Sequence, residues 1–145
     1  MTPPIPYRIL LVDDEVLTRM ELQRHLHRDL YLFEQCDTFE EAPTRVAQRD
    51  PDAVITVTRL FYRQPEPTQN LRGFDLARQL RENGYTGVII GTLSRGAART
   101  PRDSDKTFEE LYREAGADAL VRMDRFEGSS LEYVLNRGFV DRGRR

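Results

Sequence analysis

The feature that most constrains the fold of this chain is a regular alternation of short apolar segments with segments of helical periodicity. The apolar segments lie at 9–12, 31–36, 53–57, 87–92 and 118–123. Segments with apolar residues at helical spacing follow them, at 16–28, 38–49, 71–83, 106–116 and 129–139. Because the apolar segments are short and nearly continuous, they predict strands that are covered on both faces. The alternation therefore predicts an α/β fold, a five-stranded parallel sheet with helices on both faces.

Two of the predicted helices begin with recognisable capping signals. Thr38 followed by Glu41 forms a candidate capping box, so we expect the second helix to begin there. Ser129 or Ser130 is the expected cap of the last helix.

The composition is that of one globular domain. The chain has 145 residues, of which 39% are hydrophobic and 32% are charged, and this is enough for a single core. The formal net charge of −2 gives no general electrostatic reason to bind nucleic acid. No apolar run reaches membrane-spanning length, and the first residues lack the layout of a signal peptide. We therefore expect a cytoplasmic protein without a membrane or nucleic-acid partner.

Two long connections follow the third and fourth predicted strands, at 58–70 and 94–105. Ligands bind at the carboxyl ends of the strands in such sheets, so both connections are expected near the acidic pair Asp13 and Asp14, which ends the first strand. The three large apolar residues at 60–62 would allow the first connection to cover this pair. A partner surface and a tolerated insertion are the alternatives that the sequence leaves open.

Five segments in this order resemble the receiver domain of bacterial two-component response regulators. They are "RILLVDDE", "PDAVITV", "GFDLARQLR", "GVIIGT" and "GADALVRM". Each is a weak signal alone, but together they span most of the chain. The resemblance implies a flavodoxin-like, doubly wound (βα)5 fold for a receiver-like domain at 8–138, with an N-terminal extension at 1–7 and a C-terminal tail at 139–145.

The signalling residues of that family are only partly present. In receivers two acids after the first strand help to hold Mg²⁺, and they correspond to Asp13 and Asp14. The hydroxyl residue at the end of the fourth strand corresponds to Thr92. The Asp that accepts a phosphoryl group, the Lys that pairs with this group and the aromatic residue of the fifth strand are replaced, respectively, by Val57, Met123 and Leu120.

Arg122 lies beside the position of the missing lysine. Because side chains alternate across a strand, Arg122 is expected to point away from the pocket that Met123 faces. A one-residue bulge would turn Arg122 into the pocket, and the sequence leaves open whether it substitutes for the lysine in this way.

The replacements predict a stand-alone pseudo-receiver that signals by binding another protein, without phosphorylation of an Asp. Such a domain is not an enzyme, needs no cofactor and binds Mg²⁺ weakly or not at all at Asp13 and Asp14. In typical receivers the fourth helix, fifth strand and fifth helix form the partner surface, which places candidate anchors at Leu111, Tyr112 and Tyr133. A homodimer is a further option. No effector domain is expected in this chain, because few residues follow the last predicted helix.

Two other functions stay open at the same edge of the sheet. A receiver could accept the phosphoryl group on another residue, such as Thr58 or a loop acid, with Mg²⁺ at the acidic pair. A small-ligand site closed by the long connections is the second alternative. A phosphatase of the haloacid dehalogenase type, which "VDDEVLT" superficially resembles, is disfavoured because Glu15 replaces its second catalytic Asp.

Overall fold

The secondary structure follows the predicted alternation of strands and helices. A computed structural model describes residues 6–12, 30–36, 38–57, 73–93, 105–122 and 128–144, and for Val57 and residues 128–130 it describes the backbone alone. The described strands are β1 (Tyr7–Val12), β2 (Tyr31–Cys36), β3 (Ala53–Val57), β4 (Val88–Leu93) and β5 (Ala119–Arg122). The described helices are α1 (Ala42–Arg49), α2 (Gly73–Glu82), α3 (Phe108–Glu114) and α4 (Gly128–Asp141), and none of them is long and apolar enough to span a membrane. The predicted helix at 16–28 and the connections at 58–70 and 94–104 lie outside the described residues.

The five strands lie parallel in one sheet, in the order β2-β1-β3-β4-β5. The predicted flavodoxin-like α/β fold is therefore confirmed. The strand order reverses between β1 and β3, whose carboxyl ends are Val12 and Val57. In doubly wound sheets the crevice outside two such strand ends is the place where ligands bind.

Two apolar clusters cover the two faces of the sheet. Alternate strand residues pack against α1, α2 and α3 on one face, and the intervening residues pack against α4 on the other. The first cluster includes Leu10, Val12, Val54, Ile89, Leu93, Phe74, Leu80 and Tyr112. The second cluster includes Ile9, Leu11, Ile55, Val88, Ile90, Leu131, Leu135 and Phe139. Strand residues that face either side of the sheet are buried, and this is why the strands appear in the sequence as nearly continuous apolar runs.

Helix α4 lies close to the sheet along its C-terminal half. A Cβ added at Gly138 would lie 2.8 Å from Cγ2 of Val88, so a larger residue would force the helix away. Phe139 is fully buried and stacks on Tyr7, with ring centroids 3.8 Å apart. Tyr7 is the first residue of β1, and α4 continues to Asp141, so both residues belong to the secondary structure of the sheet and its covering helix. The division into an extension at 1–7, a domain at 8–138 and a tail at 139–145 stays a prediction.

The start of α1 differs from its predicted position. Thr38 Oγ1 accepts a hydrogen bond from the backbone N–H of Glu41 at 3.2 Å, which is half of the predicted capping box. The helix itself begins at Ala42, because Pro43 lacks an N–H and is favoured in a first turn. At α3 the N-cap is Thr107, whose Oγ1 accepts from a backbone N–H in the first turn.

Candidate functional site

The carboxyl edge of the sheet brings together strand ends that the sequence predicts as a site. Val57 at the end of β3 is the Cα partner of Thr92 in β4, and Thr92 is the Cα partner of Val121 in β5. On the other side of β3, Val12 of β1 pairs with Thr56. Val57, Thr92 and Val121 therefore form one row across three neighbouring strands, which we call the carboxyl row.

The predicted acids and the predicted lysine position lie just beyond the ends of two strands of the sheet. Asp13 and Asp14 follow β1 directly, and Met123 directly follows β5. All three lie outside the described residues, so their assignment stays a prediction.

Thr92 is a buried residue whose hydroxyl is used within the sheet. Its exposed fraction is 2%, and its Oγ1 donates a hydrogen bond to the backbone carbonyl of Thr56 at 3.4 Å. Thr56 is buried as well. This bond ties the end of β4 to β3, so the hydroxyl of the carboxyl row has a structural role.

The carboxyl row offers little of the chemistry that phosphoryl transfer needs. Val57 and Val121 have hydrocarbon side chains, which supply neither a nucleophile nor a metal ligand. Mg²⁺ requires near-octahedral oxygen donors, and a valine at the third acidic position does not fit that requirement. Within the described ranges, no group of three His, Cys, Asp or Glu side chains is arranged to hold a metal ion. The residues present therefore do not fit the complete Mg²⁺ site that the resemblance implies.

Arg122 ends β5 on the face of the sheet opposite to that of the carboxyl row. The register between β4 and β5 runs without interruption from the pair Ile90–Ala119 to the pair Leu93–Arg122. A bulge that would turn Arg122 towards the row is therefore absent from the described part of β5. Strand alternation places Arg122 on the same face as Leu93 and Leu120, which pack in the first cluster.

An aromatic side chain from α3 lies over the centre of β4. A Cβ added at Gly91 would overlap Cε1 of Tyr112, so the tyrosine ring occupies the space that a side chain at this position would take. Gly91 is the Cα partner of Leu120, which stands where the family carries its aromatic residue. Tyr112 is 1% exposed and meets the ring of Phe74 edge-on, with centroids 5.9 Å apart. The ring thereby joins α2, α3 and β4 in one packed contact.

This packing corrects one of the predicted partner anchors. Tyr112 is buried and not available at the surface, because Gly91 leaves room for its ring against the sheet. Leu111 is half-buried and packs against the first cluster, whereas Tyr133 on α4 is 64% exposed. A glycine inside an apolar strand, as in "VIIGTL", is the sequence signal that another group approaches the backbone at that point.

We expect Gly91→Ala to destabilise the fold through a clash with Tyr112. Overpacking of this kind lowers the free energy of unfolding by about 1–3 kcal/mol. Chemical denaturation of Gly91→Ala, Tyr112→Leu and the double variant measures the coupling between the two positions. The double variant should lose less stability than the sum of the single changes, because leucine makes room for the new methyl group. Strict additivity would contradict the contact between Tyr112 and Gly91.

Comparison with known proteins supports the fold. No family model matches the sequence, and no curated protein matches it. Among solved structures, a CheY-like response regulator receiver domain protein from Methanospirillum hungatei JF-1 is 15% identical, with a TM-score of 0.72 over 97% of this chain and 98% of that chain. A response regulator receiver domain protein from Clostridium thermocellum is 18% identical, with a TM-score of 0.72 over 94% of this chain and 97% of that chain.

A longer protein contains the same fold as one part. NtrX from Brucella abortus is 18% identical, with a TM-score of 0.73 over 96% of this chain and 28% of that chain. Identities at this level establish a common fold and no more. The chain has the fold of a response regulator receiver domain.

Proposed function

We propose that this chain is a receiver-like domain of two-component signalling that acts by binding another protein and carries no phosphoryl group on an Asp. The proposal rests on Val57, which ends β3 and is the Cα partner of Thr92 in β4. A valine side chain has no oxygen to accept a phosphoryl group. The similarity in fold to receiver structures supports a role in signalling. The domain is proposed as a binding module and not as an enzyme.

The packing of α3 supports a partner surface that is independent of phosphorylation. In receivers an aromatic residue of the fifth strand takes part in signalling, and here Leu120 stands at that position. An aromatic side chain on the same face, Tyr112 of α3, is buried between Gly91 and Phe74. A buried ring in a close-packed contact resists rotation, because its neighbours would have to move with it. We therefore propose that α3 keeps one position on the sheet.

The proposed partner surface includes the outer side of α4. Tyr133 and Val140 are 64% and 68% exposed, and they lie on the side of the helix opposite the buried Leu135 and Phe139. Arg137 lies between them on the same side, and its Nε is 3.7 Å from Asp141 Oδ2 in an exposed pair. Isolated apolar side chains are common on surfaces, but two on one helical stripe around a cation form a candidate recognition feature.

The charge on this stripe favours a partner of different sequence over a second copy of the chain. A symmetric pair of α4 helices centred on the stripe would bring the two Arg137 side chains together, and the long, exposed pair of each Arg137 with its own Asp141 offsets little of their repulsion. A partner that places an apolar side chain against Tyr133 and a carboxylate near Arg137 avoids this repulsion. We therefore propose a heterologous signalling protein as the occupant.

Incubation with acetyl phosphate and Mg²⁺, followed by intact-mass spectrometry, should leave the mass of the chain unchanged. The physical reason is the missing acceptor oxygen at Val57. A receiver that retains its acceptor Asp, treated in parallel, is the positive control. A phosphorylated chain would overturn the proposal, and fragment masses would then identify an acceptor such as Thr58.

The variant Val57→Asp tests whether the acceptor is the only missing part. A third carboxylate would join those expected from Asp13 and Asp14, while Met123 supplies no cation to offset their repulsion. We therefore expect a lower melting temperature, partial rescue by Mg²⁺ and no phosphorylation. A stable variant that becomes phosphorylated would show that the rest of the pocket is still intact.

Mg²⁺ itself should bind weakly, because one of three carboxylates of the family's site is replaced by Val57. Isothermal titration calorimetry with MgCl₂ measures this directly, and Asp13→Ala is the matched variant. A submillimolar dissociation constant that disappears in Asp13→Ala would contradict weak binding.

Partner binding should depend on Tyr133. A protein captured by the wild-type chain from the native host is identified, purified and titrated against Tyr133→Ser and against Leu32→Ser, which changes an exposed leucine of β2. We expect a large loss of affinity for Tyr133→Ser alone, because aromatic anchors dominate the binding energy at interfaces. Equal affinities of the two variants, or self-association of the chain in sedimentation, would argue against this surface and this kind of partner.

A further inference from the structure

Two aspartates stand in equivalent positions at the amino edge of the sheet. Asp52 precedes β3; its carboxylate accepts a hydrogen bond from the backbone N–H of Arg8 at 2.9 Å, and its own N–H donates to the Arg8 carbonyl at 2.8 Å. Asp118 precedes β5 and forms the same pair of bonds with Ile89, at 3.0 and 2.8 Å. Each aspartate thus joins the start of its own strand to a neighbouring strand, at the edge opposite the carboxyl row.

The chain after α4 turns sharply and brings two arginines to this amino edge. Gly143 has a φ of 67°, a left-handed conformation that favours glycine. Its N–H donates to the Val140 carbonyl at 3.1 Å, and the N–H of Arg144 donates to the Phe139 carbonyl at 2.8 Å. These two bonds form the Schellman motif that ends α4. Arg142 precedes the glycine and Arg144 follows it, so the two side chains reach different parts of the edge.

Arg142 binds the carboxylate of Asp118 through both Nε and Nη2. Its Nε lies 2.9 Å from Oδ2 and its Nη2 lies 2.8 Å from Oδ1, a bidentate geometry that gives strong, directional contacts. Arg81, at the end of α2, donates to the same carboxylate at 3.3 Å and to three backbone carbonyls. Burial and then the nearby charge of Arg142 lower the pKa of Arg81. One carboxylate therefore holds two guanidinium groups from separate segments of the chain.

Arg144 binds the start of β3. Its guanidinium lies 3.5 Å from Asp52 Oδ1 and 3.2 Å from Asp50 Oδ1, and it donates to Thr86 Oγ1 at 3.2 Å. It also lies over the ring of Tyr85, 5.9 Å from the centroid. The side chain of Arg144 is only 16% exposed. Burial alone would lower its pKa, but the hydrogen bond and charge of Asp50 outweigh burial and raise it, so the group stays charged.

We propose that residues 141–144 form a C-terminal clamp that holds the end of α4 on the sheet, and that release of this clamp frees the C-terminal half of α4 while the sheet stays folded. The clamp acts through Asp118 at the start of β5 and Asp52 at the start of β3. No residue of the carboxyl row takes part, so the inference does not rest on the proposed function. Because the outer side of the same helix carries Val140, the clamp sets the position of that surface.

The distribution of contacts along α4 makes a local opening physically reasonable. Leu131 and Leu135 are fully buried and hold the first part of the helix in the second cluster. The end of the helix has one large apolar contact, the buried Phe139 stacked on Tyr7, beside the close approach of Gly138 and the directional charged contacts from the clamp. Directional contacts at one end can break without loss of the apolar contacts at the other, which is the basis of sub-global opening.

Hydrogen exchange followed by mass spectrometry tests the clamp. In the variant Arg142→Ala/Arg144→Ala we expect the amides at 136–141 to exchange on the order of tenfold faster, because several charge-assisted hydrogen bonds are lost. The amides of β1 and β3 should keep their wild-type rates. Arg137→Ala is the control, because it removes one positive charge at an exposed position of α4 and leaves both clamp arginines in place. Arg142→Lys keeps the charge but loses the bidentate contact, and it should show part of the effect.

Two results would overturn the proposal. Unchanged exchange at 136–141 would mean that the clamp does not hold the helix, and an equal increase across helix and sheet would mean that the arginines support only global stability. If the double variant does not fold, the wild-type chain is measured in increasing salt, which screens partly exposed pairs. Faster exchange confined to the end of α4 is expected there, and its absence would count against the clamp.

Discussion

A parallel strand presents alternate side chains to two faces of the sheet, and here helices cover both faces. The rest of the structure depends on this constraint. All six residues of β4 are buried, as are the last four residues of β1. A charged group inside such a strand would be costly without a partner. Of the described residues, the buried polar ones are Thr56 and Thr92, both at the carboxyl end of a strand. The buried polar side chains of the described strands therefore lie near the strand ends.

The carboxyl edge and the amino edge of the sheet differ in the polar contacts that their residues make. At the carboxyl edge the row contains two valines and a threonine whose hydroxyl bonds to the backbone of β3. At the amino edge, Asp52 and Asp118 bond both to neighbouring strands and to arginines from beyond α4. The bidentate contact between Arg142 and Asp118 thus lies away from the carboxyl row. Under the proposed function, the folded state itself, and not a phosphoryl group, sets the shape of the partner surface.

The strands were predictable because a buried parallel strand is a continuous apolar run, and the bounds of β2 and β3 agree with the prediction to the residue. The start of α1 was not predictable from the sequence, because the capping signal of Thr38 competes with the preference of Pro43 for a first turn. The burial of Tyr112 depends on Gly91, which is distant in sequence. The clamp also depends on tertiary contacts. Its two aspartates nevertheless share a sequence signal, because each directly precedes a strand that begins with alanine, in "DAV" at 52–54 and "DAL" at 118–120.

We propose that the partner surface does not respond to chemistry at the carboxyl row. Nuclear magnetic resonance of the labelled chain, titrated with beryllofluoride and Mg²⁺ as a mimic of an acyl phosphate, tests it most directly. We predict that the amide resonances of α3, β5 and α4 stay in place, because Val57 supplies no carboxylate to bind the mimic. Saturable shifts that spread across both α3 and β5 would contradict it.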